Sequence, residues 1–463
     1  MKIIAKKSNL AGHIIVPGSK SHTIRALILA ALADGESIIE NPLTGEDCVS
    51  CAKAIQEIGA KADFSNPLTW KVQGAGKNVH LPDNVVDVGN SGSVLYFLSP
   101  ICATFEGWSI FTGDKSIRTR PVKHLVDMLT QIGSEVHISR PDCDAPPILI
   151  KGPIKAGNIV TDGRLSQYIS GMMMAATLLE GTTNIELTDP KEAPYLKMTK
   201  HWLEGAGIPV YISSDYTQIS VGGPHEIKNF NVTVPSDWEA VAFPLIAALV
   251  TDSEIVIDKV DVSGTQGDDA IVDVLKSVGA DIDLNTDNHT LTVRGGKKST
   301  ICNEVRGWTS GRLATYSKFE PLRINCAGFP DAICALAVIA CFIDGTTIIE
   351  DIGVCRKKET DRIKVMKSEL TKLGADVEEG DDYLLIRGHS PINADGTQNE
   401  NFKLHGGEIE SFHDHRVAMS IACLALGLKT GEEVFINNFE CHEVSFPGFF
   451  ATMNNLGAGF EEI

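Results

Sequence analysis

Two patterns of apolar and polar positions alternate along the chain. In the first, an almost unbroken apolar run of helix-forming residues leads through a short turn into a β-branched strand. It is seen at 24–33, followed by Asp34-Gly35-Glu36-Ser37 and Ile38-Ile39. It returns at 94–104, 168–179, 240–250, 332–342 and 417–428, each time with a strand such as Ile255-Val256 or Val434-Phe435 after the turn. In the second pattern, apolar residues recur at helical spacing, as in Val122, Leu125, Val126 and Leu129, and the segment stops at a glycine. The stops are Gly59, Gly133, Gly205, Gly279, Gly374 and Gly457. A helix apolar all round predicts burial, a single apolar stripe predicts a surface helix, and the glycine predicts a C-cap.

Both patterns occur six times in strict alternation. The first four copies recur roughly every 70–75 residues, the self-similarity of a repeat architecture. Alternating helix and strand predicts an α/β fold. Six units in 463 residues divide into two domains of three, with a hinge near 230–240 around Val234-Pro235-Ser236-Asp237. The segment 301–325 reads as an insertion between the fourth and fifth copies, and 389–405 as a loop.

Polar residues gather where the buried helices begin: Lys20-Ser21, Asn90-Ser91-Gly92-Ser93, Ser166-Gln167, Asp237, Asp331 and Asp414-His415-Arg416. Free N–H groups and the dipole at a helix start attract anions. Convergence of several such starts in a cleft would make a polyanion site. The run from Pro17 to Arg25 carries this most plainly: a strand-like lead at 13–16, a turn at Gly18, then Lys20 and Arg25. It does not fit a nucleotide P-loop, because Ser19 separates Gly18 from Lys20 and Gly12 lies too far back.

Composition narrows the field. With 43% apolar and 22% charged residues the chain reads as globular, and its length calls for more than one core. No run is long and apolar enough to span a membrane, and the start lacks the apolar region of a signal peptide, so a cytoplasmic protein is expected. A net charge of −19 without a basic stripe argues against nucleic acid. The 11 cysteines are scattered, and the lone Cys48-Val49-Ser50-Cys51 has no second pair, so reduced thiols and no metal site are expected.

Several clusters carry candidate chemistry. Arg120-Pro121 precedes a helix, with Pro121 expected at its first position. Lys358 and Arg362 lie four apart, on one face if the segment is helical, with Glu359 beside cations. Asp331 precedes a buried helix and reads locally as a cap, though a cap and a base can be one residue. His413-Asp414-His415-Arg416 suggests an anion site rather than a metal, since no third ligand is evident.

In order along the chain, PGSKS (17–21) with Arg25, GNSGS (89–93), RP (120–121), QGD (266–268), FPDA (329–332), KETDR (358–362) and DHR (414–416) resemble the enolpyruvyl transferase family over the whole length. The resemblance implies a two-domain inside-out α/β barrel, each domain three βαβαββ repeats around buried helices. The domains would be 19–236 and 1–18 with 237–463, with the active site in the cleft between them. It implies transfer of the enolpyruvyl group of phosphoenolpyruvate to a hydroxyl without metal or organic cofactor, by a monomer. Shikimate 3-phosphate is the expected acceptor; a relative using another hydroxyl, such as a nucleotide, and a non-catalytic anion binder are the alternatives. By motif, Lys20, Gly92, Arg120, Gln167, Arg362, His415 and Arg416 would hold phosphoenolpyruvate. Ser21, Arg25, Ser166, Tyr195, Asp331 and Lys358 would hold the acceptor. Lys20, Asp331 and Glu359 would be catalytic. The chain departs from the family pattern at Leu165 and Glu192, where serines are usual, and at Tyr96, Val354 and Val444.

Overall fold

The computed structural model describes residues 1–299, 313–314, 320–393 and 395–463. Most of the expected insertion, 301–312 and 315–319, lies outside the described residues. Its end does not behave as an insertion: Leu322–Asn325 is a strand paired in parallel with Gly345–Glu350, and so belongs to the fifth repeat. The described residues of 389–405 form no helix or strand.

Twelve α-helices occur among the described residues: α1 (Lys20–Leu32), α2 (Glu46–Ala54), α3 (Gly92–Cys102), α4 (Lys123–Gln131), α5 (Ser166–Ala176), α6 (Ala193–Gly205), α7 (Trp238–Leu249), α8 (Ala270–Ser277), α9 (Ile333–Ala340), α10 (Arg362–Lys372), α11 (His415–Leu426) and α12 (Phe449–Asn455). The odd-numbered helices are the apolar runs, and α7 and α11 are buried along their whole length. The even-numbered helices bury one stripe; α4 buries only Leu125, Met128 and Leu129. Five of the expected glycine stops take a left-handed φ of 86–105°. The sixth differs. α6 runs through Gly205 and stops at Gly207 (φ 83°), where the Ile208 N–H closes on the Leu203 C=O at 2.9 Å. Pro121 stands ahead of Val122, the residue that precedes α4, rather than at the first helical position. The Val122 N–H is held instead by Asp144 Oδ1 at 3.0 Å.

Among the described residues, six four-stranded sheets each contain one parallel and two antiparallel pairings. The repeat is therefore strand, buried helix, parallel strand, surface helix and antiparallel hairpin. Two strands are exchanged. Ala11–Ile15, just ahead of α1, pairs with Glu254–Asp258 after α7. Asn231–Thr233, just ahead of α7, pairs with Asp34–Glu40 after α1. Lys2–Lys6 joins the last sheet, between Glu433–Asn437 and Glu461–Glu462.

The chain divides into two compact units, Gly18–Pro235 and Met1–Pro17 with Ser236–Ile463. Each has its own apolar core of odd-numbered helices, with the sheets outside. In Thr69–Ala75, for example, Trp70 and Val72 face the core while Lys71 and Gln73 face solvent. Five repeats place a glycine where the hairpin passes beneath the buried helix: Gly74, Gly152, Gly223, Gly295 and Gly388. A Cβ at these positions would stand 1.9–2.5 Å from a carbonyl oxygen at the helix end, from Ala33, Ala103, Ala176, Ala248 and Ala340 respectively. Any side chain there would push the sheet off the helix. Among the described residues no helix is long and apolar enough to cross a membrane.

Candidate active site

In the unit completed by Ser236–Ile463, the starts of α9, α10 and α11 bring six of the expected residues together. Arg362, the first residue of α10, is fully buried. Its Nε meets Asp414 Oδ2 at 2.9 Å, its Nη1 meets Asp331 Oδ1 at 2.6 Å and its Nη2 meets Glu359 Oε2 at 2.5 Å. Burial works against the guanidinium charge, but Asp414, Glu359 and Asp331 outweigh it and raise its pKa well above the ordinary value. Burial likewise disfavours the Asp414 carboxylate, and Arg362 reverses this to a net lowering. Arg416 pairs with Glu239 on α7 and lies 3.6 Å from Asp331. Lys358 Nζ stands 3.5 Å from Asp331 Oδ2.

Two local expectations are corrected here. Asp331 does not cap α9: it sits in the turn Pro330–Ala332, and its carboxylate turns to Arg362, Lys358 and Arg416. Lys358 and Arg362 do not share a helix: Lys358 closes the turn Gly353–Lys357 and Arg362 opens α10, yet both reach Asp331. His415 is buried, and neither ring nitrogen has a hydrogen-bond partner among the described residues. Burial, then Arg416, lowers its pKa to about 3, so the ring is neutral at pH 7. His413, two residues earlier, is exposed. Asp268, from the QGD segment, is held well above the usual carboxylate range by burial and then by Glu239 and Asp331.

In the unit Gly18–Pro235 the cations have different company. Arg25, on α1, is buried against oxygens that carry no formal charge: Thr199 Oγ1 (2.8 Å), the Ser21 C=O (3.0 Å), the Tyr195 C=O (3.2 Å) and Ser170 Oγ (3.4 Å). Its guanidinium lies 4.9 Å from the Phe97 ring centre. Burial pulls its pKa down to about 9, which still leaves it charged at pH 7. Lys20 Nζ is 3.7 Å from the buried Asp47. Arg120 lies against Gly92, where a Cβ would stand 2.7 Å from Nη1. Tyr96 donates its hydroxyl to the Pro121 C=O at 2.8 Å, fixing the chain just after Arg120. Gln167 Nε2 donates to Ser93 Oγ at 3.1 Å, linking the starts of α3 and α5. Ser166 gives both its N–H (3.0 Å) and its hydroxyl (2.8 Å) to Glu192 Oε2. Cys48 and Cys51 are buried in α2, with sulfurs 3.9 and 4.0 Å from the α1 carbonyls of Lys20 and Ile24.

The helix starts are thus less open than the sequence suggested. The chain supplies its own carboxylate at three of them: Asp237 on α7, Asp414 on α11 and Glu192 at α5. A carboxylate is favoured there by the same dipole that would favour a substrate anion. Sequence reasoning missed Glu239, Asp47 and Thr199. Each meets its partner across the fold, and no local spacing marks such a pair.

The family model for EPSP synthase (3-phosphoshikimate 1-carboxyvinyltransferase) matches residues 4–453. The chain is 35% identical to the 3-phosphoshikimate 1-carboxyvinyltransferase of Ruminiclostridium cellulolyticum over 100% of both chains. It is 34% identical to that of Methanocaldococcus jannaschii over 99% of both. A solved EPSP synthase from Acinetobacter baumannii superposes with a TM-score of 0.77 at 25% identity, covering 99% of both chains. The enolpyruvyl transferase NikO from Streptomyces tendae, at 17% identity, shares the fold with a TM-score of 0.75 over 99% of this chain and 98% of its own.

Proposed function

The chain belongs to the EPSP synthase family, and on that footing we propose that it transfers the enolpyruvyl group of phosphoenolpyruvate to the 5-hydroxyl of shikimate 3-phosphate and releases phosphate. The hydroxyl oxygen bonds to C2 of phosphoenolpyruvate while C3 takes a proton, giving a tetrahedral ketal. Loss of a C3 proton and of phosphate then restores the double bond. This is a step toward aromatic amino acids.

Asp331 takes the proton of the acceptor hydroxyl, and Glu359 delivers and removes the proton at C3. Lys20 assists the leaving phosphate. Lys20, Arg120, Gln167, Arg362, His415 and Arg416 hold phosphoenolpyruvate beside Gly92. Ser21, Arg25, Ser166, Tyr195 and Lys358 hold the acceptor together with Asp331. The observation that carries the chemistry is the joint hold of Asp331 and Glu359 on one buried guanidinium, Arg362. A shared cation keeps two proton carriers at fixed places, which general acid–base catalysis requires. Preorganised cations also stabilise charge as it develops on carboxylate and phosphate. Monomeric action in the cytoplasm completes the reading; the compartment is supported by ten cysteines among the described residues that form no disulfide, nine of them buried.

The test is phosphate release from phosphoenolpyruvate by the purified protein. Release that requires shikimate 3-phosphate is expected. Release only with a different hydroxyl compound would overturn the acceptor assignment.

A further inference from the structure

The acceptor side holds a carboxylate where two donors converge. Glu192 Oε2 accepts both the N–H and the hydroxyl of Ser166, at 3.0 and 2.8 Å. Both residues are buried, at 2% and 1% exposure. Leu165, which precedes α5, has no polar side chain to cap the helix, so the Glu192 carboxylate does so from across the fold. Glu192 is fixed in turn. Its backbone is left-handed (φ 52°), it opens α6, and its C=O accepts the Tyr195 N–H at 3.0 Å.

We propose that Glu192 sets the affinity for the acceptor's phosphate, by occupying from within the chain the Ser166 donors that this phosphate would otherwise take. The inference rests on the reading of Ser166 as part of the acceptor subsite. A carboxylate and a phosphate compete for one helix start, and held side by side they repel. Glu192 therefore weakens phosphorylated acceptors selectively and leaves the same ring without its phosphate untouched. Selectivity by an unfavourable charge is as effective as selectivity by a favourable contact.

The experiment is calorimetric binding of shikimate 3-phosphate and of shikimate to the full chain as wild type, Glu192→Gln and Glu192→Ser. Glu192→Gln keeps an acceptor for Ser166 and removes the charge, so it tests the charge even where Glu192→Ser fails to fold. Glu192→Ser should bind shikimate 3-phosphate about tenfold more tightly, and Glu192→Gln severalfold more tightly. Shikimate affinity should move less than twofold. Unchanged or weaker binding of shikimate 3-phosphate in the folded variants, or equal shifts for both ligands, would reduce Glu192 to a helix cap and overturn the proposal. Turnover of the wild type is measured separately. Its absence would sink the functional reading, while the binding contrast among the variants would still decide the part played by Glu192.

Discussion

Arg25 and Arg362 are both buried, at 2% and 0% exposure, and they fare differently. Arg362 is surrounded by Asp331, Glu359 and Asp414, and its pKa rises. Arg25 has only uncharged oxygens around it, and its pKa falls to about 9. Arg362 holds three carboxylates in register. The charge of Arg25 is left without a carboxylate among the described residues, so its pull on an anion survives. The sequence marks several helix starts as anion sites but not which of their cations already hold carboxylates. One unit packs carboxylates around Arg362 and Arg416, while in the other Arg25 meets no carboxylate among the described residues.

The largest effect should come from Arg362→Met, which leaves three carboxylates crowded without their shared cation. A loss of about 3–5 kcal/mol in urea denaturation is expected. Arg25→Met should cost less than about 2 kcal/mol, because its partners are uncharged. It should still weaken shikimate 3-phosphate binding at least tenfold by calorimetry. Equal stability losses in the two variants would break the comparison.

Glu359→Gln sharpens it. The amide still accepts from Arg362 but cannot carry the proton, so kcat should fall by about 100-fold or more with the fold intact by circular dichroism. Near-normal turnover would remove Glu359 from the mechanism. Gly92→Ala, in the other unit, forces the Arg120 guanidinium to move from a 2.7 Å encounter with the new Cβ. The KM for phosphoenolpyruvate should rise about tenfold, a shift of about 1.4 kcal/mol. An unchanged KM would place Arg120 away from that substrate.

The smallest effect concerns pH. The folded pKa of His415, about 3, lies below its ordinary 6.5. Between these values the unfolded chain takes up a proton that the folded chain refuses. The stability this group permits is therefore full above pH 6.5 and declines as pH falls toward 3, by at most about 1.4 kcal/mol per pH unit. His415→Asn should flatten the decline in denaturation midpoints between pH 6.5 and 5. An identical slope in the variant would show that other groups govern that range.

The twelve helices were legible because burial imposes a period on the sequence, as in the striped Val122–Leu129 run and the unbroken run 240–250. Strand partners were not, because a β-branched run states that it pairs and not with what. Nothing local in Ala11–Ile15 points to Glu254–Asp258. The glycines at 74, 152, 223, 295 and 388 passed unnoticed because they answer to a helix carbonyl rather than to a turn. At the candidate site, the motif spacing marked Asp331, Glu359 and Arg362. Glu239, which meets Arg416 across 177 residues, carried no such signal. Glu192 stood out as an odd residue, but its hold on Ser166 exists only in three dimensions.

The exchanged strands impose an order on synthesis. The unit Gly18–Pro235 is one continuous stretch and can close as soon as its last strand leaves the ribosome. Ala11–Ile15 must wait for Glu254–Asp258, 243 residues from Ile15 to Asp258. At about 5–20 residues per second this is roughly 12–50 s. Lys2–Lys6 waits longer still for Glu433–Asn437, 431 residues from Lys6 to Asn437. These two strands are thus made early and folded late, and for that interval the nascent chain carries unpaired apolar segments that a chaperone would be well placed to shield.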